Sequence, residues 1–192
     1  MSDNTRCPTF ETKRLHLRAI QPGDEEFLAW LDTDPDVMRY IHAGPISLKA
    51  ALKWAGMQVE TAPHRWHFHK WIVELREQES RIGWVELGKF RGVFDPAEAC
   101  MNDDISIGYQ FAPAYWRQGF ASEAIGPVLA YSFDTMELDR LVAFVHPENN
   151  PSIRVLDKLG FLQHPTRRYK DEGGHKCYLY SLSISGWRNS HL

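Results

Sequence analysis

The feature that most constrains this chain is a strand-like run, a tight turn and a helix-like run in immediate succession over residues 104–133. The strand covers 104–111, the turn reads Tyr115-Trp116-Arg117-Gln118-Gly119-Phe120-Ala121, and the helix covers 122–133. Gly119 and Ala121 let the backbone come close to a ligand, and the first-turn amides of a helix have no intrahelical partners. Those amides and the positive end of the helix dipole favour a phosphate group. The passage predicts an anion cradle, set against the plainer reading of an ordinary loop before a helix. Two other phosphate-binding patterns are excluded. The chain has no Gly-x-x-x-x-Gly-Lys-Ser/Thr, and no Gly-x-Gly-x-x-Gly opens a helix.

A second informative stretch follows another strand-like run, 141–145. It reads His146-Pro147-Glu148-Asn149-Asn150-Pro151-Ser152-Ile153-Arg154-Val155-Leu156-Asp157-Lys158-Leu159-Gly160-Phe161. Asn149 or Asn150 suits a helix cap, Pro151 suits the first turn, and Gly160 can end the helix in a left-handed conformation. Ile153, Leu156 and Leu159 recur at helical spacing and predict a buried stripe. Two successive strand–helix units therefore bring helix N-termini, with Asn149 and Ser152, to the carboxyl ends of neighbouring strands. Open α/β sheets bind ligands there.

Together these residues make the chain resemble the GNAT superfamily of N-acetyltransferases, and within it the RimJ/RimL-like, ribosomal-protein alanine acetyltransferase branch. The family's acetyl-CoA signature, Gln/Arg-x-x-Gly-x-Gly/Ala, corresponds to Trp116-Arg117-Gln118-Gly119-Phe120-Ala121. Trp116 departs from the general family, but this departure, like the preceding Tyr115, is common in the branch. The branch's second signature, Pro-Glu-Asn-x-x-Ser-x-Arg-Val-Leu-Glu-Lys-Leu-Gly-Phe, matches residues 147–161 with Asp157 in place of Glu. Ile107-Gly108-Tyr109 resembles the branch's strand before the cradle. The resemblance runs from about Arg14 to Ile184 and implies an α/β (α+β) fold: a central mixed, mostly antiparallel sheet of about seven strands flanked by four helices, splayed between its fourth and fifth strands.

Composition agrees with this class. The chain has 192 residues, 43% hydrophobic and 24% charged, and no Pro/Gly/Ser-rich linker divides it. One acetyltransferase domain is expected over 14–186, with an N-terminal extension at 1–13 and a C-terminal tail at 187–192. A net charge of −3 gives no electrostatic case for nucleic acid. No apolar run approaches membrane-spanning length, and residues 1–7 are polar rather than signal-like. Cys7, Cys100 and Cys177 are odd in number and scattered, which fits reduced thiols in a cytoplasm. The element order reads β-α-α-β-β-β-α-β-α-β-β. Helices are expected at 24–31 and 48–60, the second capped by Ser47. Further strands are expected at 66–75 and 81–90, with a loop at 91–101 and a closing antiparallel pair at Tyr169 and 178–182.

In the family that this chain resembles, an amine attacks the thioester carbonyl of acetyl-CoA directly. The amine must be deprotonated, the oxyanion held and the thiolate protonated. The resemblance implies a bulge in the fourth strand, mapped to Tyr109, Gln110 and Phe111, whose backbone meets the pantetheine arm. It places the pyrophosphate on Arg117, Gln118, Gly119, Phe120, Ala121 and Ser122. Many acetyltransferases protonate the thiolate with a Tyr seven residues after the Asn that follows the fifth strand. From Asn149 that position is Leu156, so the acid is missing. The branch instead offers Ser152, which is also a natural first-turn capping residue. Asn149 is expected to cap the helix, bind pantetheine or both.

For the general base, relatives in the branch carry Glu just before Ile-Gly-Tyr, where this chain has Ser106. Asp104 is the nearest carboxylate and is expected on the same strand face. Asp171, Glu172 and Glu86 are alternatives, each weighed against a solvated surface carboxylate. His64, His67 and His69 cluster without the further ligands a metal needs, so no metal is expected. Trp30, Trp54, Trp66, Trp71 and Trp84 belong to the core or to an acceptor pocket, and His42 lies in a loop that borders the acceptor in relatives.

The expected function is transfer of an acetyl group from acetyl-CoA to a primary amine. A protein N-terminal α-amine is the first acceptor. A small-molecule amine (polyamine, amino acid derivative or antibiotic) is the alternative, and so is a catalytically weak CoA-binding sensor or interaction module. The expected assembly is a monomer or homodimer without nucleic acid or membrane partners.

Overall fold

The computed structural model describes residues 7–41, 44–62, 69–89, 104–170 and 176–190. Its strands are β1 (Phe10–Glu11), β2 (Leu15–Ala19), β3 (Lys70–Leu75), β4 (Ser80–Lys89), β5 (Ile105–Phe111), β6 (Arg140–Val145), β7 (Leu162–Lys170) and β8 (Lys176–Ser183). Its helices are α1 (Glu25–Thr33), α2 (Leu48–Thr61), α3 (Phe120–Ala130), α4 (Asn150–Lys158) and α5 (Ile184–Ser190). One eight-stranded sheet has the order β1-β2-β3-β4-β5-β6-β8-β7. Every neighbouring pair is antiparallel except β5–β6.

That parallel pair carries the site. β5 and β6 are matched only at Ile105↔Leu141 and Ser106↔Val142. Beyond these residues β5 runs on to Phe111 and β6 to Val145 without pairing, so the sheet opens at their carboxyl ends. The bulge expected at Tyr109–Phe111 is absent. β5 pairs with β4 without a register shift from Ile105↔Lys89 to Phe111↔Gly83. The only register shift between β3 and β4 falls at Val73/Glu74, where Ile82 is the extra residue. Gly83 leaves no room for a side chain between β4 and β5, since a Cβ there would sit 2.3 Å from the Gln110 carbonyl oxygen.

The strands alternate between two helical layers. On one face Leu15, Leu17, Val85, Leu87, Ile107 and Leu141 pack under α3, α4 and α5. From α3 this core takes Ala124, Ile125, Val128 and Leu129, all fully buried; each large aliphatic side chain contributes at most about 1.5–3 kcal/mol by burial. On the other face Ile20 and Ile72 pack against Leu28 and Ala29 of α1 and Ala51, Ala55 and Val59 of α2. Arg18 ties β2, β3 and the start of α1 together: it pairs with Asp24 at 2.7 Å and with Glu74 at 2.7 Å. Burial pushes the Asp24 carboxyl up, but hydrogen bonds from Arg18, Gln21 and Arg81 outweigh it and hold the group below its ordinary value.

The sheet has one strand more than expected because β1 is two residues long, too short to leave a periodic signal. It pairs with β2 inside the expected N-terminal extension. At the other end Trp187 of α5 is buried and stacks on Phe133, at 5.9 Å between ring centroids, so the core also reaches past residue 186.

Candidate active site

The turn after β5 forms a shallow, exposed cradle. Trp116 anchors its entrance by donating its indole N–H to the Phe111 carbonyl at 2.6 Å. Arg117 and Gly119 then take positive φ values of 61° and 81°, with Gln118 between them. Such alternation turns successive N–H groups toward one side. Gly119 is the N-cap of α3, and the first helical bond runs from the Glu123 N–H to the Gly119 carbonyl at 3.1 Å. Phe120, Ala121 and Ser122 therefore have no intrahelical acceptor for their amides. Among the described residues, the one atom within 4 Å of a Cβ placed on Gly119 is Arg14 Nη2, at 3.7 Å. A phosphate group fits this open nest.

Two cations that the sequence reading missed stand beside it. Arg14, from the turn before β2, donates to the Gln118 carbonyl at 3.1 Å and pairs with Glu123 at 2.6 Å. Burial pushes Glu123 up, but hydrogen bonds from Thr12 and Arg14 outweigh it, so the carboxyl lies below its ordinary value. It stays ionised at the head of α3, where a negative charge suits the dipole. Lys158, at the end of α4, donates to Ser122 Oγ at 3.3 Å. No sequence spacing marked either, because their partners lie 104 and 36 residues away.

The gap between β5 and β6 opens into a cleft of about 530 Å³. Ala112 donates its N–H to Ile82 of β4 at 2.9 Å. Strand alternation therefore turns the N–H and C=O of Tyr109, three residues earlier, the other way, into the gap. A ligand arm lying there gains strand-like hydrogen bonds that β6 does not supply. On the α4 side the cleft is lined by Tyr109, Asn149, Ser152 and Leu156. Asn149 is the N-cap of α4 and its Oδ1 accepts from the Ser152 N–H at 3.2 Å. Ser152 Oγ lies 2.8 Å from Tyr109 Oη, and the same phenol contacts the Ser152 carbonyl oxygen at 3.3 Å. Burial pushes the Tyr109 phenol up to about 12, partly offset by its hydrogen bond with Ser152.

On the α1–α2 side the cleft is lined by Asp32, Tyr40, Trp54, Lys70, Trp84 and Glu86, among others. Lys70 is buried: its Nζ binds Gln58 Oε1 at 2.5 Å and Glu86 Oε2 at 3.1 Å, and it lies 3.9 Å from the centre of the Trp84 ring. Glu86 is directly opposite Gly108 in the β4–β5 register, so its carboxylate is on the face opposite the Tyr109 side chain. Gln110 is buried between Trp84 Nε1, which donates to its Oε1 at 3.1 Å, and Met38. Its side chain is thereby committed to holding the wall of the cleft.

The residues predicted from sequence thus divide. Tyr109, Gln110, Asn149 and Ser152 share the cleft lining. Phe111 is buried in the main core with its carbonyl held by Trp116. Arg117, Gln118, Gly119, Phe120, Ala121 and Ser122 form the separate cradle and do not line the cleft. Asp104 is removed from consideration as a base: its carboxylate is gripped by Arg140 of β6 at 2.8–3.0 Å and does not line the cleft. Ser106 donates to the Gly88 carbonyl at 2.9 Å. Trp71 is wholly buried, whereas Trp54 and Trp84 line the cleft and Trp30 is exposed. His69 is buried edge-on to Trp71. His42, His64, His67, Trp66, Cys100, Asp171 and Glu172 lie outside the described residues. Among the described residues no three His, Cys, Asp or Glu side chains are grouped to hold a metal ion, and no helix is long and apolar enough to cross a membrane.

The acetyltransferase (GNAT) domain family matches residues 14–162. The chain is 31% identical over 183 residues to a Bacillus subtilis protein named as the uncharacterized N-acetyltransferase YoaA, covering 91% of this chain and 96% of that one. It is 26% identical over 155 residues to the spermidine N(1)-acetyltransferase of Vibrio cholerae, covering 78% of this chain and 80% of that one. The crystal structure of a Vibrio cholerae spermidine N-acetyltransferase in complex with CoA and spermine shares the fold at a TM-score of 0.71 and 21% identity, over 93% of this chain and 100% of that one. A GNAT-family acetyltransferase from Bacillus anthracis gives a TM-score of 0.73 at 25% identity, over 93% of this chain and 99% of that one. With its splayed sheet and helix-capped cradle, this chain belongs to the acetyltransferase (GNAT) family and is an N-acetyltransferase of that type.

Proposed function

We propose that the protein acetylates the primary amine of a small molecule, with acetyl-CoA as the acyl donor. The observation that carries this reading is the composition of the cleft's α1–α2 half. There, among the described residues, the carboxylates of Asp32 and Glu86 line the cleft with the side chains of Tyr40 and Trp54, while Lys70 pairs with Glu86 and lies over Trp84. Carboxylates and aromatic faces together attract an ammonium group. A space of about 530 Å³ is in the range for one drug-sized ligand, so beside a pantetheine arm it leaves room for a small acceptor. The Vibrio cholerae relative named for spermidine supports the same acceptor class. A second reading, acetylation of a protein N-terminal α-amine, is favoured by the likeness of residues 147–161 to the RimJ/RimL-like signature.

When bound, acetyl-CoA supplies an activated acetyl thioester. The Gly119–Ser122 amides, with Arg14 and Lys158 nearby, hold its pyrophosphate, and the Tyr109 backbone and Asn149 hold the pantetheine arm. Glu86 takes the role that sequence gave to Asp104. Its carboxylate draws the ammonium form of the acceptor toward Gly108 and receives its proton, and Lys70 fixes its position. Ser152, at the head of α4, places a hydroxyl and the positive end of a helix dipole at the departing sulfur.

Glu86→Gln keeps the shape and removes the charge. It is expected to lower kcat/KM for a small amine by about 10² or more, in the range of general acid–base effects, with calorimetric affinity for CoA unchanged. Acceptor kinetics equal to the wild type would remove Glu86 from the reaction.

A further inference from the structure

We infer that Tyr109 is a positioning residue for the leaving group: its hydroxyl fixes the Ser152 side chain so that the serine proton is directed into the cleft. This inference rests on the reading of Ser152 as the group at the departing sulfur.

The geometry carries it. The Tyr109 ring packs against the main core, so its Oη is held from below. From above, the main chain of Ser152 is held by the Asn149 cap and by Pro151 in the first turn of α4. The remaining freedom is the rotation of the serine hydroxyl, and Tyr109 Oη lies 2.8 Å from it. The Tyr109 phenol has one proton and two acceptors in reach: Ser152 Oγ at 2.8 Å, a contact in which either hydroxyl can donate, and the Ser152 carbonyl oxygen at 3.3 Å, which can only accept; we assign the phenol proton to the shorter contact. With Oγ accepting from Tyr109, the serine's own proton points away from the phenol, toward the cleft that both residues line. The phenol, pushed up to about 12 by burial, keeps its proton across the working pH range, so its hydrogen bond with Ser152 persists there.

During transfer Ser152 holds the sulfur, which departs with the C–S electron pair as the amine's C–N bond forms. The acceptor's ammonium gives one proton to Glu86 before attack, and the second N–H proton, lost as the C–N bond forms, passes to the departing sulfur to give the CoA thiol; no group is oxidised or reduced. The Ser152–Tyr109 pair thus stands where the tyrosine missing at Leu156 would act, with Tyr109 reaching Ser152 from β5.

The competing view is that the Tyr109–Ser152 contact merely ties β5 to α4 across the open gap. Three folded variants separate the two: Tyr109→Phe, which keeps the ring that packs the core, Ser152→Ala, and the double variant. Two readouts are taken. One is kcat and KM; the other is the pH titration of the bound CoA thiol, followed by the ultraviolet absorbance of its thiolate. Each single variant is expected to lower kcat about tenfold or more with KM for acetyl-CoA little changed, and to raise the bound thiol's pKa by about one unit. The double variant is expected to be no slower than Ser152→Ala alone, because Tyr109 acts through the serine. A Tyr109→Phe effect that recurs in full in the Ser152→Ala background would overturn the inference, as would an unchanged thiol titration in Tyr109→Phe. If Ser152→Ala alone leaves both readouts at wild type, the reading of Ser152 fails first.

Discussion

Gly119 offers a clean test of the phosphate cradle, because two substitutions of the same shape differ there by one charge. Gly119 has φ = 81°, a region that costs L-residues about 1–2 kcal/mol and that Asn and Asp tolerate best. The space is open among the described residues, where a Cβ at Gly119 meets Arg14 Nη2 at 3.7 Å and nothing closer. Gly119→Asn and Gly119→Asp should therefore both fold, with a shared cost near 1 kcal/mol, or about 2–4 °C in Tm for a chain of this size. Their affinities should separate. A carboxylate ~5 Å from a phosphate charge, at an effective dielectric constant of ~20–40, repels it by roughly 2–3 kcal/mol. The Asp variant is thus expected to bind acetyl-CoA about 30- to 150-fold more weakly than the Asn variant. The gap should narrow as salt is raised, since the site is exposed. Titration calorimetry gives both constants, and S-acetylpantetheine, which has no pyrophosphate, should bind the two variants alike. Equal affinity of folded Asn and Asp variants for acetyl-CoA would refute the cradle.

Two further predictions concern the frame that holds the site. Asp24→Asn removes the charge that Arg18 and Arg81 share, and breaking such a buried pair should cost about 3–5 kcal/mol at neutral pH, read by denaturant unfolding. Because the folded-state carboxyl of Asp24 lies below its unfolded value near 3.9, its contribution is present above that pH. The advantage of the wild type over Asp24→Asn should shrink as pH falls below about 4, and a constant advantage down to strong acid would contradict the assignment. Gly83→Ala places a Cβ 2.3 Å from the Gln110 carbonyl oxygen, so β4 and β5 must part; a loss of about 1–3 kcal/mol is expected, and an unchanged melting temperature would contradict the close approach.

What the sequence disclosed is local in origin. The Ser47 and Asn149 caps, the left-handed Gly160 and the buried Leu156 all follow from chemistry within a few residues. Partners brought together by the sheet were not legible in this way. Asp104 is one of several candidate carboxylates in the sequence, and β6 supplies its partner Arg140 from 36 residues on. Glu86 stood among several carboxylates until register set it opposite Gly108 and put Lys70 beside it. The family resemblance points to Tyr109 for its backbone, whereas its phenol meets Ser152 because α4 returns that residue across 43 positions. The strand splay came from a family resemblance, while the bulge that accompanied it was wrong: β5 stays in register with β4 and opens on its β6 edge instead.

The most direct test of the central claim is the initial rate of CoA thiol release from acetyl-CoA with a panel of acceptors. The panel should set small primary amines, including polyamines, amino acid derivatives and aminoglycosides, beside peptides beginning with Ala, Ser or Thr. The account predicts acceptor-dependent release with a small amine, abolished or strongly reduced by Glu86→Gln. Turnover confined to the peptides would contradict the small-molecule assignment and return the acceptor to the protein N-terminus.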